Sequence, residues 1–261
     1  MRFIHKICLV LILATLSARL HGAETVAVAA AANLAYVLEP LNAEFAKTRP
    51  DIAVRSEIGA SGSLVAQIKN GAPYDVFLSA DTEYPRKLVD AGGAEGASFV
   101  TFAMGRLVLW TTRPGLAPTS IEAIVRNESV RKLAIANPDT APYGRAAVEV
   151  LGKLGLSDIA KPKLVFGENI TQTAQFVSTG NADAGFVALS LVLSPKLKDK
   201  GRWLEVPESL YAPIEQAGVL TSRGAANKAA RQNLEFLTSP AARKVFIQFG
   251  YGLPELHLSA Q

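Results

Sequence analysis

The sequence predicts an α/β fold in two similar halves, each built on its own sheet, with a cleft between them. Three observations carry this. A strand–loop–helix device recurs along the chain, two segments echo each other, and two apolar runs, each broken by a glycine, read as passages from one half to the other. Strands that alternate with helices across short loops give parallel sheets, with ligands at the carboxyl ends of the strands.

The first copy of the device, ETVAVAAAANLAYVLEPLNAEFAK, opens with a β-rich run over 25–29 and passes through small residues to Asn33. It continues as an amphipathic helix with Leu34, Leu38, Leu41 and Phe45 at helical spacing. The second, IAVRSEIGASGSLVAQIKNG, has a strand over 52–56, the loop GASGS (59–63), and a helix that Gly71 stops. YDVFLSADTEYPRKLVDAGG and KLAIANPDTAPYGRAAVEVLGKLG repeat the pattern. A fifth copy, KLVFGENITQTAQFVSTGN, precedes the strand ADAGFVALS. The echo lies in NGAPYDVFLSA (70–80) and TGNADAGFVALS (179–190), each running from a helix stop through an aspartate into an apolar strand and a small polar loop. FAMGRLVLWTT (102–112), with Gly105, and IEQAGVLTS (214–222), with Gly218, read as the two crossings, their glycines marking bends or hinges. Ordinary edge strands with bulges are the alternative.

The leading segment stands apart from this pattern. MRFIHKICLVLILATLSARLHGA has a basic start at Arg2 and Lys6, an apolar run over 7–16, and small residues ending near Ala23. That is the layout of a cleavable signal peptide, too short in its apolar run for a spanning helix, with a membrane anchor as the alternative. The expectation is an exported protein. Cys8, the single cysteine, falls inside this segment, so disulfides, thiolate metal sites and cysteine nucleophiles are excluded from the rest. Taking Arg2, Lys6 and Arg19 from the 27 Lys+Arg, against 23 Asp+Glu, leaves a net charge of about +1. With no basic stripe interleaved with aromatics, nucleic acid is not an expected partner. Of the 3 histidines only His257 stays, near the far end.

Four loops between a strand and a helix can carry a site: AAAAN (29–33), GASGS (59–63), DTAPYG (139–144) and GENIT (167–171). Each offers backbone N–H groups, and together they hold Asn, Ser, Tyr and Thr as neutral donors. Lysine and arginine are missing from all but the edge of the third, where Arg145 is expected to point into the following helix. Converging helix starts with neutral donors make an anion site built of dipoles. A donor-only lining favours an oxyanion with no proton left to give. For any one loop, simple helix capping by Asn33 or Ser61 is the alternative.

Catalysis has little to work with. GASGS ends in Ser63 where a nucleophile elbow needs glycine, and a Ser61 nucleophile needs a base that only His257, in the polar tail ELHLSAQ, could provide. Asp75, Asp81 and Asp183 are scattered carboxylates, and Asp75 and Asp183 are expected to anchor turns. No cofactor is expected.

Taken together, AAAANL, GASGSLVAQIKNGAPYDVFLSAD, GRLVLW, NPDTAPYGRAAVEVL and FGENITQTAQFV with GNADAGFVAL resemble the periplasmic molybdate-binding proteins of ABC importers, over essentially the whole of 26–254. The resemblance implies a periplasmic location and a type II periplasmic binding fold, with two mixed sheets flanked by helices and a ligand cleft between lobes. Lobe 1 would comprise 24–104 plus 216–261, and lobe 2 would comprise 105–215. It implies a monomer that closes on molybdate or tungstate and docks on a membrane permease, the oxyanion being cargo and its metal having no direct protein ligand. Carried over residue by residue, the ligand set falls on Asn33 as an amide donor with Ala32 beside it contributing backbone, on Ser61 through Oγ and N–H, and on the backbone of Tyr143 and Ile170. Some members add a tyrosine hydroxyl where this chain has Ala188. Another tetrahedral oxyanion such as sulfate or chromate, a sensor domain presenting the ion to a receptor, and an exported serine hydrolase are the other readings.

Overall fold

A computed structural model describes residues 24–254. The expected signal peptide, Cys8, and the tail with His257 lie outside the described residues. The chain begins with β1 (Glu24–Ala31), α1 (Leu38–Thr48), β2 (Ile52–Gly59), α2 (Ser61–Lys69), β3 (Val76–Ser79), α3 (Glu83–Asp90) and β4 (Val100–Gly105). It continues through β5 (Leu107–Thr111), α4 (Ile121–Arg126), β6 (Leu133–Ala136), α5 (Pro142–Lys153), α6 (Ser157–Ala160), β7 (Leu164–Gly167), α7 (Ile170–Ser178), β8 (Ala184–Ala188), α8 (Leu189–Val192) and β9 (Arg202–Glu205). It closes with β10 (Ile214–Leu220), α9 (Lys228–Phe236) and α10 (Pro240–Gln248).

Two five-stranded mixed sheets result, ordered β2-β1-β3-β10-β4 and β7-β6-β8-β5-β9. The echo in the sequence is an echo in topology. β3 and β8 each hold the middle of a sheet, with a parallel partner on one side (β1, β6) and an antiparallel one on the other (β10, β5). Both strands are buried along their whole length, which is why VFLS and AGFVA read as uninterrupted small and apolar runs. Of the edge strands, β9 is largely exposed and β2 is exposed over Arg55, Ser56 and Glu57, and their sequences mix charge with apolar residues accordingly.

The two expected anchoring aspartates precede these central strands. Asp75, 4% exposed, accepts the Ala27 N–H at 2.9 Å and the Arg223 Nε–H at 3.2 Å. Asp183 accepts the N–H groups of Arg131 and Lys132 at 2.8 and 2.9 Å and pairs with Arg113 at 3.0 Å. Each carboxylate ties the start of a middle strand to its neighbours. Asp75→Asn keeps an acceptor for Ala27 but removes the charge. Because Arg223 is mostly exposed, the loss comes chiefly from weakening the buried bond to Ala27 from a charge-assisted to a neutral one, and urea unfolding is expected to show about 1 kcal/mol lower stability.

The first crossing falls where the sequence places it: β4 ends at Gly105 in the first sheet and β5 begins at Leu107 in the second. The second does not. All of β10 belongs to the first sheet, and Gly218 pairs with Leu78 on one side and Val100 on the other, so it is no hinge. The return crossing runs over 206–213, between β9 and β10. A strand buried inside a sheet and a strand passing between lobes have the same apolar signature, and pairing alone separates them. The bulge alternative is half realised, since the β10–β4 register shifts between Gln216 and Ala217. Among the described residues no helix is long and apolar enough to cross a membrane.

Candidate functional site

Register puts the four loops together. The last residues of β1 and β2 are paired, Ala31 with Gly59, and so are those of β6 and β7, Ala136 with Gly167. A helical turn follows each of these strands: a 3-10 turn at Ala32–Leu34, then α2, α5 and α7. Their starts meet around one small pocket of about 10 Å³, lined by Ala32, Asn33, Ser61, Tyr143, Asn169 and Ile170 among small residues, with no lysine or arginine. All five sequence-predicted ligand residues are therefore in one place, and all five are buried. Both lobes contribute walls.

What each residue offers differs from the sequence expectation in two places. Ser61 is the first residue of α2, so its N–H has no intrahelical acceptor. Its Oγ accepts the Ala80 N–H at 3.1 Å, which occupies a lone pair and leaves the hydroxyl hydrogen to give. Tyr143 and Ile170 stand in the first turns of α5 and α7, so their N–H groups also lack intrahelical partners. Tyr143 does more than the sequence suggests. Its ring fills the space beside Gly105, where an added Cβ would meet the hydroxyl at 2.2 Å. Burial and the neighbouring Tyr251 and Tyr211 push that hydroxyl well above the usual tyrosine range, so it keeps its proton.

The Asn33 side chain is the first correction. Its amide was expected to donate to a ligand, but both amide hydrogens are committed, to Gln216 Oε1 at 2.8 Å and Tyr251 Oη at 2.9 Å. Gln216 cannot turn around, because its own amide group donates to the Ile214 carbonyl at 3.0 Å. Asn33 is thus a brace, and what it can offer a ligand is the backbone at the start of a helical turn. Sequence shows that an Asn ends this loop. It does not show that Gln216 and Tyr251, from far along the chain, meet it.

The second correction concerns Arg145. It does not point along its own helix but crosses the cleft, pairing with Asp81 and, at 3.5 Å, with Glu83. The same rim carries a bond from Gly62 N–H to the Thr140 carbonyl at 2.9 Å and one from Tyr84 Oη–H to the Asp139 carbonyl at 3.0 Å. An added Cβ at Gly62 would sit 2.5 Å from Tyr84 Oη and 3.1 Å from the Thr140 backbone, so the second glycine of GASGS is what lets the lobes approach. On the opposite side, Thr171 Oγ1–H donates to the Ala32 carbonyl at 2.8 Å and Ser190 Oγ–H to the Asn33 carbonyl at 2.9 Å. The cleft is closed over its pocket.

Among the described residues no group of three or more His, Cys, Asp or Glu could hold a metal ion. Ser61 Oγ is held by a backbone N–H and has no base as a hydrogen-bond partner among the described residues. The arrangement can bind an anion through oriented N–H and O–H groups.

Comparison with known proteins places this architecture. A family described as bacterial extracellular solute-binding protein matches residues 26–252. The chain belongs to that family. This solute-binding protein is 43% identical to the molybdate-binding protein ModA of Azotobacter vinelandii, over 88% of its own length and 91% of the relative's. It is 41% identical to the ModA of Rhodobacter capsulatus, over 88% of its length and 89% of that chain. Its structure superposes on that of the Azotobacter vinelandii periplasmic molybdate-binding protein with a TM-score of 0.82 at 38% identity, covering 88% of this chain and all of that one. The two-lobed type II fold expected from the sequence is the fold of this solute-binding protein. Its relatives bind; it is not an enzyme, and the serine-hydrolase reading falls with that.

Proposed function

We propose that this protein captures molybdate or tungstate in its interlobe pocket and delivers the ion to the membrane permease of an ABC importer. The observation that carries this reading is the pocket itself: four helical turns start at one small interlobe pocket with neutral donors and no side-chain cation. A fully ionised tetrahedral oxyanion suits it, each charge-assisted bond contributing about 1.5–3 kcal/mol before desolvation. Asn33 and Ala32 act through backbone, Ser61 through backbone and hydroxyl, Tyr143 and Ile170 through backbone. The names of the relatives supply the ion. The same proposal includes export to the periplasm with cleavage near Ala23, action as a monomer without a cofactor, and two lobes divided close to the expected 24–104 plus 216–261 and 105–215. The divisions move to the end of β4 at Gly105 and the start of β10 at Ile214, because both strands belong to the first sheet.

Isothermal titration calorimetry of the mature chain with molybdate, tungstate and sulfate tests it. One-to-one binding of the two larger ions with sulfate silent is the expected result. Sulfate binding as tightly as molybdate would keep the family and overturn the ion. No binding of any of the three would overturn the anion site.

A further inference from the structure

The donor set has a member that neither the sequence reading nor the list of backbone groups contains. Asn169 stands just before α7, in extended backbone (φ −149°, ψ 174°), and lines the pocket beside Ile170. Its Oδ1 accepts two backbone N–H bonds, from Thr171 and Gln172, both at 3.0 Å. An amide has one oxygen, and here two donors claim it, so the group cannot be turned over. Nδ2, with two hydrogens, therefore faces away from the helix and has no partner among the described residues. Ala188 offers nothing comparable, because it is fully buried at the end of β8 and lies outside the pocket wall.

We propose that the Asn169 side-chain amide donates a hydrogen bond to the bound oxyanion and takes the place of the tyrosine hydroxyl that Ala188 cannot supply. This rests on the oxyanion reading above. Aspartate caps a helix as well as asparagine does, but at 169 it would turn an anionic oxygen toward an anion. Asparagine caps with its oxygen and keeps its hydrogens for the ligand. Since Asn169 comes from the second lobe and Ser61 from the first, the ion receives side-chain donors from both lobes, and the Asn169 bond forms only when the cleft is closed.

Calorimetry with molybdate on the parent, Asn169→Ser and Asn169→Asp tests this, with ligand-free melting curves alongside. Both variants keep a capping oxygen, so the melting temperatures should stay close to the parent's. Asn169→Ser is expected to bind about fivefold to tenfold more weakly, and Asn169→Asp more weakly still. If the parent binds and Asn169→Ser binds equally well, Asn169 is a cap only and the inference is overturned while the oxyanion reading stands. If the parent binds no molybdate, both fall.

Discussion

Replacing Ser61 by alanine is expected to weaken molybdate binding about tenfold to a hundredfold, the equivalent of one charge-assisted hydrogen bond. The hydroxyl is placed for this by the fold. Ala80, just past the end of β3, spends its N–H on Ser61 Oγ at 3.1 Å, and Ser61 is wholly buried at the first position of α2. The substitution has a second consequence. It leaves the Ala80 N–H buried without a partner, so ligand-free stability should also fall, by about 1–3 kcal/mol. Calorimetry and urea unfolding read the two effects separately. Unchanged affinity would take the Ser61 hydroxyl out of the ligand set, whatever happened to stability.

Arg145→Met is expected to weaken binding by about tenfold, with no contact to the ion lost, because an affinity measured on a protein that is only partly closed is reduced by the closed fraction. Arg145 joins the lobes through Asp81 and Glu83, and its guanidinium carbon lies 5.2 Å from the centre of the Tyr84 ring. Its side chain is 32% exposed and that of Asp81 13%, so the pair is partly screened and its contribution is discounted from that of a fully buried one. Asp81→Asn should produce a similar loss, and the double variant less than the sum, since both remove the same bond. The effect belongs mainly in the dissociation rate, which stopped-flow release measures. An unchanged release rate would show that this pair does not hold the lobes shut.

Much of this was legible in the residues. Helix starts show in the turn chemistry of GASGS, NPDTAPYG and GENIT, and the central strands show as unbroken apolar runs, because local geometry and burial on both faces act on neighbouring residues. The anchoring roles of Asp75 and Asp183 were also readable, since an aspartate between a helix stop and an apolar strand has few other tasks. The return crossing was not. Its apolar run matched that of a buried strand, and only the pairing of Gly218 with Leu78 and Val100 assigns it to the first sheet.

By itself the sequence determined the fold class, the poverty in catalytic groups and the four strand-to-helix loops that meet at the pocket, all of which depend on side-chain type and short spacing. The five ligand residues within those loops came from the resemblance to a family. Only the tertiary structure decided which atoms of those residues remain available. Asn33 spends its amide on Gln216 and Tyr251, which lie 183 and 218 positions away in the chain. Asn169 spends its oxygen on its own helix and keeps its hydrogens. Arg145 is drawn across the cleft by Asp81, 64 positions earlier. A hydrogen-bonding group is a fixed number of donors and acceptors, and what it can give a ligand is whatever the folded chain has not already used.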